Sequence, residues 1–285
     1  MQCSTAGCAS RSVRGGGDIP QSAMNDVERL SNENYLESIR AHAAFQSPCD
    51  VHDSGGILLV AGASSFPGSY WNAAARDNLS VDPGDLAQAA RAFFAPKKRM
   101  YTFSVIEKQD SDLEEYLLDN EYEVRFEIPC MSVTKPLPAR ALPEGVHIET
   151  MSNAKHTKDF VEVSVLAYAM LGLPEVHTRA MFSQPEALLD KNIIGIIAYR
   201  GDEPLATAIV LMSGEGAGLY WIGTRPNAQR LGLGALMTVQ TTNMAFDAGA
   251  KVVTLQASKF GEPVYQRLGF ETYDKLRRYG PKALD

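Results

Sequence analysis

No apolar run in this chain approaches the ~18 consecutive residues that a membrane-spanning helix requires, so no membrane partner is expected. A cysteine framework is missing too. The 4 cysteines among 285 residues (Cys3, Cys8, Cys49 and Cys130) form no CxxC pair, which argues against a disulfide scaffold and a zinc site. A reducing, cytoplasmic compartment is what that usage implies. Basic charge is not in excess: the net charge of -7 supports solubility and argues against a generic nucleic-acid binder. Of the 5 histidines, His42, His52 and His156 show no ligand spacing and read as surface residues, and no metal is expected. The chain also has no Gly-Lys-Ser/Thr, which excludes a P-loop.

What is present is ordinary for a soluble globular protein: 45% hydrophobic residues, and length for one large domain or two. Residues 1–23 are rich in Ser, Gly and Ala, with Arg11 and Arg14 and no acid before Asp18. They lack the apolar core of a secretory signal and read as a disordered extension, with Met24 as an alternative start.

Helical spacing predicts a helix from Asn32 to Phe45 and another from Leu86 to Phe94, after a turn at Asp82-Pro83-Gly84-Asp85. Strands are expected at Ile57–Val60, Met100–Ile106 and Tyr122–Ile128, with a short helix at Asp112–Leu118. Prolines at 136, 138 and 143 mark a linker over 136–145. The chain therefore divides into residues 24–135 and 146–285. The second unit reads β-α-α-β-β-β-α-β-α-β: strand from Val146, helices from Asn153 and Pro174, a short one at Pro185–Leu189, strands Ile193–Tyr199, Leu205–Met212 and Gly218–Thr224, a helix to Ala248, strand Lys251–Leu255, helix Pro263–Leu268 and a last strand Phe270–Tyr273.

The stretch Gln229-Arg230-Leu231-Gly232-Leu233-Gly234 lies between the strand ending at Thr224 and the helix that follows. Unpaired N–H groups and the dipole make such a helix start an anion site. Glycines there let a ligand approach the backbone. The antiparallel hairpins before it argue against a dinucleotide fold, and the third glycine of that fingerprint is missing.

Gln229-x-x-Gly232-x-Gly234, preceded by Thr224-x-Pro226 and followed by Tyr265-x-x-Leu268-Gly269-Phe270, resembles the GNAT acyltransferase superfamily, from about Val146 to Tyr279. The resemblance implies a mixed α/β fold with a mostly antiparallel, V-splayed central sheet flanked by helices. It implies acetyl-CoA as acyl donor. Backbone N–H groups from Gln229 to Ala235, Arg230, Leu231 and Leu233 included, would hold the pyrophosphate. Ile222, Gly223 and Thr224 would bond the pantetheine arm. Tyr265 would protonate the leaving thiolate. Ser258 stands where the family often has Asn, which puts its bond to the cofactor in doubt.

The acceptor is expected to be a small-molecule or peptide amine, and the protein a monomer or homodimer. The amine must be neutral to attack, so a base or a desolvating site is required. Glu149, His177, Glu215 and Tyr220 are candidates for the base. The segment Val165–Met181, with Tyr168, Met170, Leu171 and Leu173, would lie over the acceptor in this family. Tyr116–Tyr122 weakly echoes Tyr265–Phe270, so the first unit reads as a degenerate copy of the fold without the glycine turn. An unrelated α+β cap is the alternative. A non-catalytic acyl-CoA-binding module, or a GNAT-like domain that has lost its ligand, stands against the enzyme.

Overall fold

The structure, a computed structural model, describes residues 25–68 and 70–282. The expected extension, with Cys3, Cys8 and Met24, lies outside the described residues. The first half runs α1 (Asp26–Ala44), β1 (Asp50–Ser54), β2 (Ile57–Ala61), β3 (Asn72–Arg76), α2 (Pro83–Phe94), β4 (Thr102–Ile106), α3 (Ser111–Asp119) and β5 (Tyr122–Val133). Residues 134–145 hold no helix or strand. The second half runs β6 (Val146–Thr150), α4 (Ala154–Ala169), α5 (Glu175–Met181), a 3-10 turn at Pro185–Leu189, β7 (Ile193–Arg200), β8 (Glu203–Ser213), β9 (Gly216–Thr224), α6 (Leu233–Asp247), β10 (Val252–Gln256), α7 (Glu262–Leu268) and β11 (Glu271–Pro281).

Local chemistry explains several boundaries. Helix α1 starts before the apolar stripe because Asn25 and Glu28 form a capping box, the Asn25 side chain accepting from the Glu28 N–H at 2.9 Å. The Asp82-Pro83-Gly84-Asp85 stretch, read as a turn, is the first turn of α2. Pro83 takes a position where its missing N–H is no loss, and Asp82 accepts from the Gly84 N–H at 2.7 Å. Strand β3 escapes the pattern because Asn72-Ala-Ala-Ala-Arg76 is buried throughout and does not alternate. Strand β1 is exposed throughout, and Val51 is its one apolar residue. Strand β11 runs well past Tyr273 because its inward positions include Asp274 and Arg278, which mask the alternation.

All strands join one sheet in the order β1-β2-β3-β4-β11-β5-β10-β9-β8-β7-β6. The halves exchange their final strands: β11 lies between β4 and β5, and β5 lies between β11 and β10. Pairing repeats as well. β2 and β3 are antiparallel and β3 and β4 parallel, as β8 and β9 are antiparallel and β9 and β10 parallel. Each parallel pair is joined through a helix, α2 or α6, and each half closes with a helix and an interleaved strand. Among the described residues the first half thus repeats the topology of the second, without a counterpart of β6. Helix α1 lies across β8 and β9, where Asn34 donates to the Leu211 carbonyl (2.9 Å) and Ser213 (2.7 Å). Gly218 makes room for it, since a Cβ there would meet the Asn34 side-chain oxygen at 2.0 Å.

No helix among the described residues is long and apolar enough to cross a membrane. Among those residues no cluster of metal-ligating side chains forms, and Cys49 and Cys130 are free thiols.

Candidate active site

Strands β9 and β10 pair only over Gly216–Gly218 and Val252–Thr254. Beyond that point β9 continues to Thr224 and β10 to Gln256 without pairing to each other, so the sheet opens there. A strand edge released in this way presents unpaired N–H and C=O groups to an extended ligand. A bulge sharpens the opening. The β8–β9 register shifts between Thr207↔Gly223 and Ile209↔Tyr220, and Trp221 has φ 52°. Gly223, expected to bond the pantetheine arm, lies just beyond the bulge, at a close approach of two elements. The close approach is by α4: a Cβ at Gly223 would lie 2.9 Å from that of Ala167.

The glycine turn sits at the end of β9. Ala228 and Leu233 are buried and anchor its two sides, while Gln229, Arg230, Leu231 and Gly232 are exposed between them. The chain reverses through positive φ at Arg230 (64°) and Gly232 (76°), then enters α6. No side chain caps this helix, so the N–H groups of Leu233, Gly234 and Ala235 lack intrahelical partners. Gly234 is open too, the nearest atom to an added Cβ being Thr224 Oγ1 at 4.0 Å. The Gln229 amide donates to Met170 Sδ at 3.3 Å, tying the turn to the end of α4. In the first half the equivalent helix α2 is capped by Asp82, and Asp85 stands in its first turn. A carboxylate already occupies the place an anion would take.

A cavity of about 300 Å³ lies in the opening. Ile222, Ser258 and Tyr265 line it, as do Tyr168, Leu171 and Leu173 from the segment expected to cover the acceptor. The first half contributes Phe66, Tyr70, Trp71 and Ile128. Burial pushes the Tyr265 phenol up to about 12, so it keeps its proton at neutral pH. Its ring lies against Gly261, where a Cβ would be 2.7 Å from Cε2. The Ser258 hydroxyl accepts from the Gly261 N–H at 3.1 Å, and its carbonyl accepts from Glu262 N–H at 2.9 Å. Ser258 thereby orients the start of α7, the helix that carries Tyr265.

Of the candidate bases, Glu149 and Glu215 stand away from the cavity. Glu149 lies on edge strand β6 beside His147 (3.1 Å) and His156 (3.0 Å), and Glu215 pairs with Lys251 (2.6 Å) where β9 and β10 are still joined. Tyr220 lines the cavity, but it donates to Asn34 at 2.8 Å and burial pushes its phenol well above the usual range. His177 is one layer back, bonded to Ser64 (2.6 Å) and against the Phe66 ring.

Two histidines read as surface residues are buried. His156 is folded against Glu149 and the Ser152 N–H, whereas His52 is exposed as expected. His42 sits behind the bulge, where its Nδ1–H donates to the Ser38 carbonyl (2.6 Å) and its Nε2 accepts from the Trp221 indole (2.8 Å). Its ring stacks on Tyr70 at 3.9 Å. The signal was available: Tyr35, Ile39 and His42 follow helical i, i+4, i+7 spacing. Burial pushes its pKa down to about 4, only partly offset by the Ser38 bond. The folded value lies below the ordinary value of about 6.5, so the unfolded chain takes up this proton first as pH falls. The contribution is therefore complete above pH ~6.5 and is lost towards pH 4, by roughly 3 kcal/mol. Urea unfolding at pH 7 and pH 4.5 checks this. His42→Gln should flatten the difference, and equal pH dependence in both proteins would remove the assignment.

Residues 174–279 match the family model described as an acetyltransferase (GNAT) domain. No curated protein matches the sequence. Among solved structures, a GCN5-related N-acetyltransferase from Kribbella flavida is similar, with TM-score 0.70 at 20% identity over 92% of this chain and 98% of that one. A tandem GNAT protein from the clavulanic acid biosynthesis pathway has TM-score 0.60 at 15% identity over 89% and 97%. A GCN5-related N-acetyltransferase from Sphaerobacter thermophilus has TM-score 0.58 at 13% identity over 82% and 84%. Residues 174–279 are thus similar to a GNAT acetyltransferase domain, and the chain shares the fold of GNAT proteins, a tandem one included, over about 90% of its length.

Proposed function

We propose that the protein transfers an acetyl group from acetyl-CoA to a primary amine by direct attack. The observation that supports this best is continuity. The uncapped start of α6, the free edge of β9 and the cavity holding Tyr265 follow one another along a single opening. The N–H groups of Leu233 to Ala235 suit a pyrophosphate, and the edge at Ile222 to Thr224 suits the amides of the pantetheine arm. A backbone N–H beside the bulge is a donor for the thioester carbonyl as negative charge develops there. Tyr265 donates its proton to the departing thiolate, and the proton lost by the attacking nitrogen as the amide forms restores the phenol.

No carboxylate or histidine lines the cavity among the described residues. Neutral amine is therefore supplied by desolvation among aromatic side chains, which disfavours the ammonium form. Calorimetry with acetyl-CoA, followed by free-thiol release over an amine panel, tests the reading. Saturable heat and thiol release are expected. Absence of heat and of a thermal shift would overturn it, and binding without transfer to any amine would leave a binding module.

A further inference from the structure

Arg278 is the unusual charge in this molecule. It lies on β11, is only 5% exposed, and lines the same cavity as Tyr265. Its Nη1 donates to Ser104 Oγ at 2.8 Å, and its guanidinium carbon stands 5.5 Å from the Tyr35 ring centre. No Asp or Glu among the described residues forms an ion pair with it; its polar neighbours are the Ser104 hydroxyl and the Tyr35 phenol, neither of which carries a charge. The neighbour Arg277 pairs with Glu107, Glu114 and Glu127. The equally buried Arg76 pairs with Asp110 and Asp112. A buried cation without a counter-ion is unfavourable, and folded proteins avoid it unless a partner arrives.

A second donor points the same way. Gln256 lines this cavity, and its buried side-chain nitrogen has no hydrogen-bond partner. Apart from the Ser258 hydroxyl, the rest of the wall is apolar or aromatic and carries no anion. Such a wall cannot hold a second ammonium group, so it does not suit a polyamine. The start of α6 is the separate place for phosphate, and β5 stands between β10 and the strand bearing Arg278.

From this we propose that Arg278 receives a carboxylate of the acceptor, so that the substrate class is a small amino acid with an apolar body. The planar fork matches a carboxylate in two parallel hydrogen bonds. Gln256 supplies a further donor. The assignment rests on the acetyl-transfer reading of this cavity and gives it a substrate class. Arg278 is a specificity residue for that reaction. It performs no proton transfer.

Carboxylates without an amine separate the two readings. Phenylacetate, 3-phenylpropanoate and hexanoate, with their amides, are titrated calorimetrically into the whole chain with and without acetyl-CoA. At least one acid should bind about 30-fold tighter than its amide, the loss expected when a buried charge partner is missing. Arg278→Met should reduce the acid to the level of the amide, with Arg278→Lys between. Arg278→Met should leave Tm unchanged or raise it, because it removes an unpaired buried charge. A purely structural arginine would lower Tm and leave the acid-to-amide ratio alone. Acids binding no better than amides to the unaltered protein, or unchanged in Arg278→Met, would overturn the inference. Thiol release that ignores the carboxylate would also overturn it, while acetyl transfer itself would stand. Carboxylate binding without acetyl-CoA binding would instead overturn the acetyl-transfer reading.

Discussion

Tyr265→Phe is expected to lower kcat about 10²- to 10⁴-fold while leaving acetyl-CoA affinity unchanged. The substitution removes one oxygen. That hydroxyl makes no hydrogen bond to the protein among the described residues, so the folded state loses no bond when it goes. The ring keeps its place against Gly261 and Phe270, and stability should hold. What disappears is the proposed proton donor for the leaving thiolate. Burial raises the Tyr265 pKa to about 12, which makes it a weak acid. The same desolvation raises the proton affinity of a thiolate expelled beside it, so donation remains matched. Pre-steady-state turnover and calorimetry on both proteins check the result. An unchanged kcat, or a loss of acetyl-CoA affinity matching the loss of rate, would remove Tyr265 from the role of acid.

Gly234→Asp should weaken acetyl-CoA binding at least about 100-fold, near 2.7 kcal/mol, and leave the free protein equally or more stable. The two signs separate charge from folding. A Cβ at this position finds nothing closer than 4.0 Å, so the side chain fits the free protein. A carboxylate in the first turn of α6 complements the helix dipole, worth about 0.3–1 kcal/mol. It then repels the pyrophosphate for which those N–H groups are proposed. Gly234→Ala measures the steric part, and the further loss in Gly234→Asp measures the charge. The first half shows the capped alternative in the same molecule, since Asp82 already closes the start of α2. Retained affinity in Gly234→Asp would place the cradle elsewhere.

Much of the second half was legible in residue order. The start of α4 is a local event, with Asn153 accepting from the His156 N–H at 3.0 Å. Gly249 ends α6 at φ 99°, a conformation glycine adopts at little cost. The glycine turn also obeys nearest-neighbour rules, which is why its six-residue pattern and Tyr265 pointed to one ligand. The interleaving of β5 and β11 had no such signal. It depends on pairings such as Leu276↔Ile128 and Leu276↔Ile106, between residues far apart in the chain. His42 was misjudged because a polar residue reads as exposed until Trp221 and Ser38 supply its hydrogen bonds.

The sequence by itself therefore determined the elements with local causes: the capped helices, the hairpins, the glycine turn and the short helix bearing Tyr265. Their information lies in backbone propensity and spacing over a few residues. Only the tertiary structure decided what surrounds the cavity. Strand exchange brings Ile128 and Arg278 to the cavity, α1 places His42 behind the bulge, and the first half adds Tyr70 and Trp71 to the wall. Those neighbours come together through burial and long-range pairing, which no window of sequence contains.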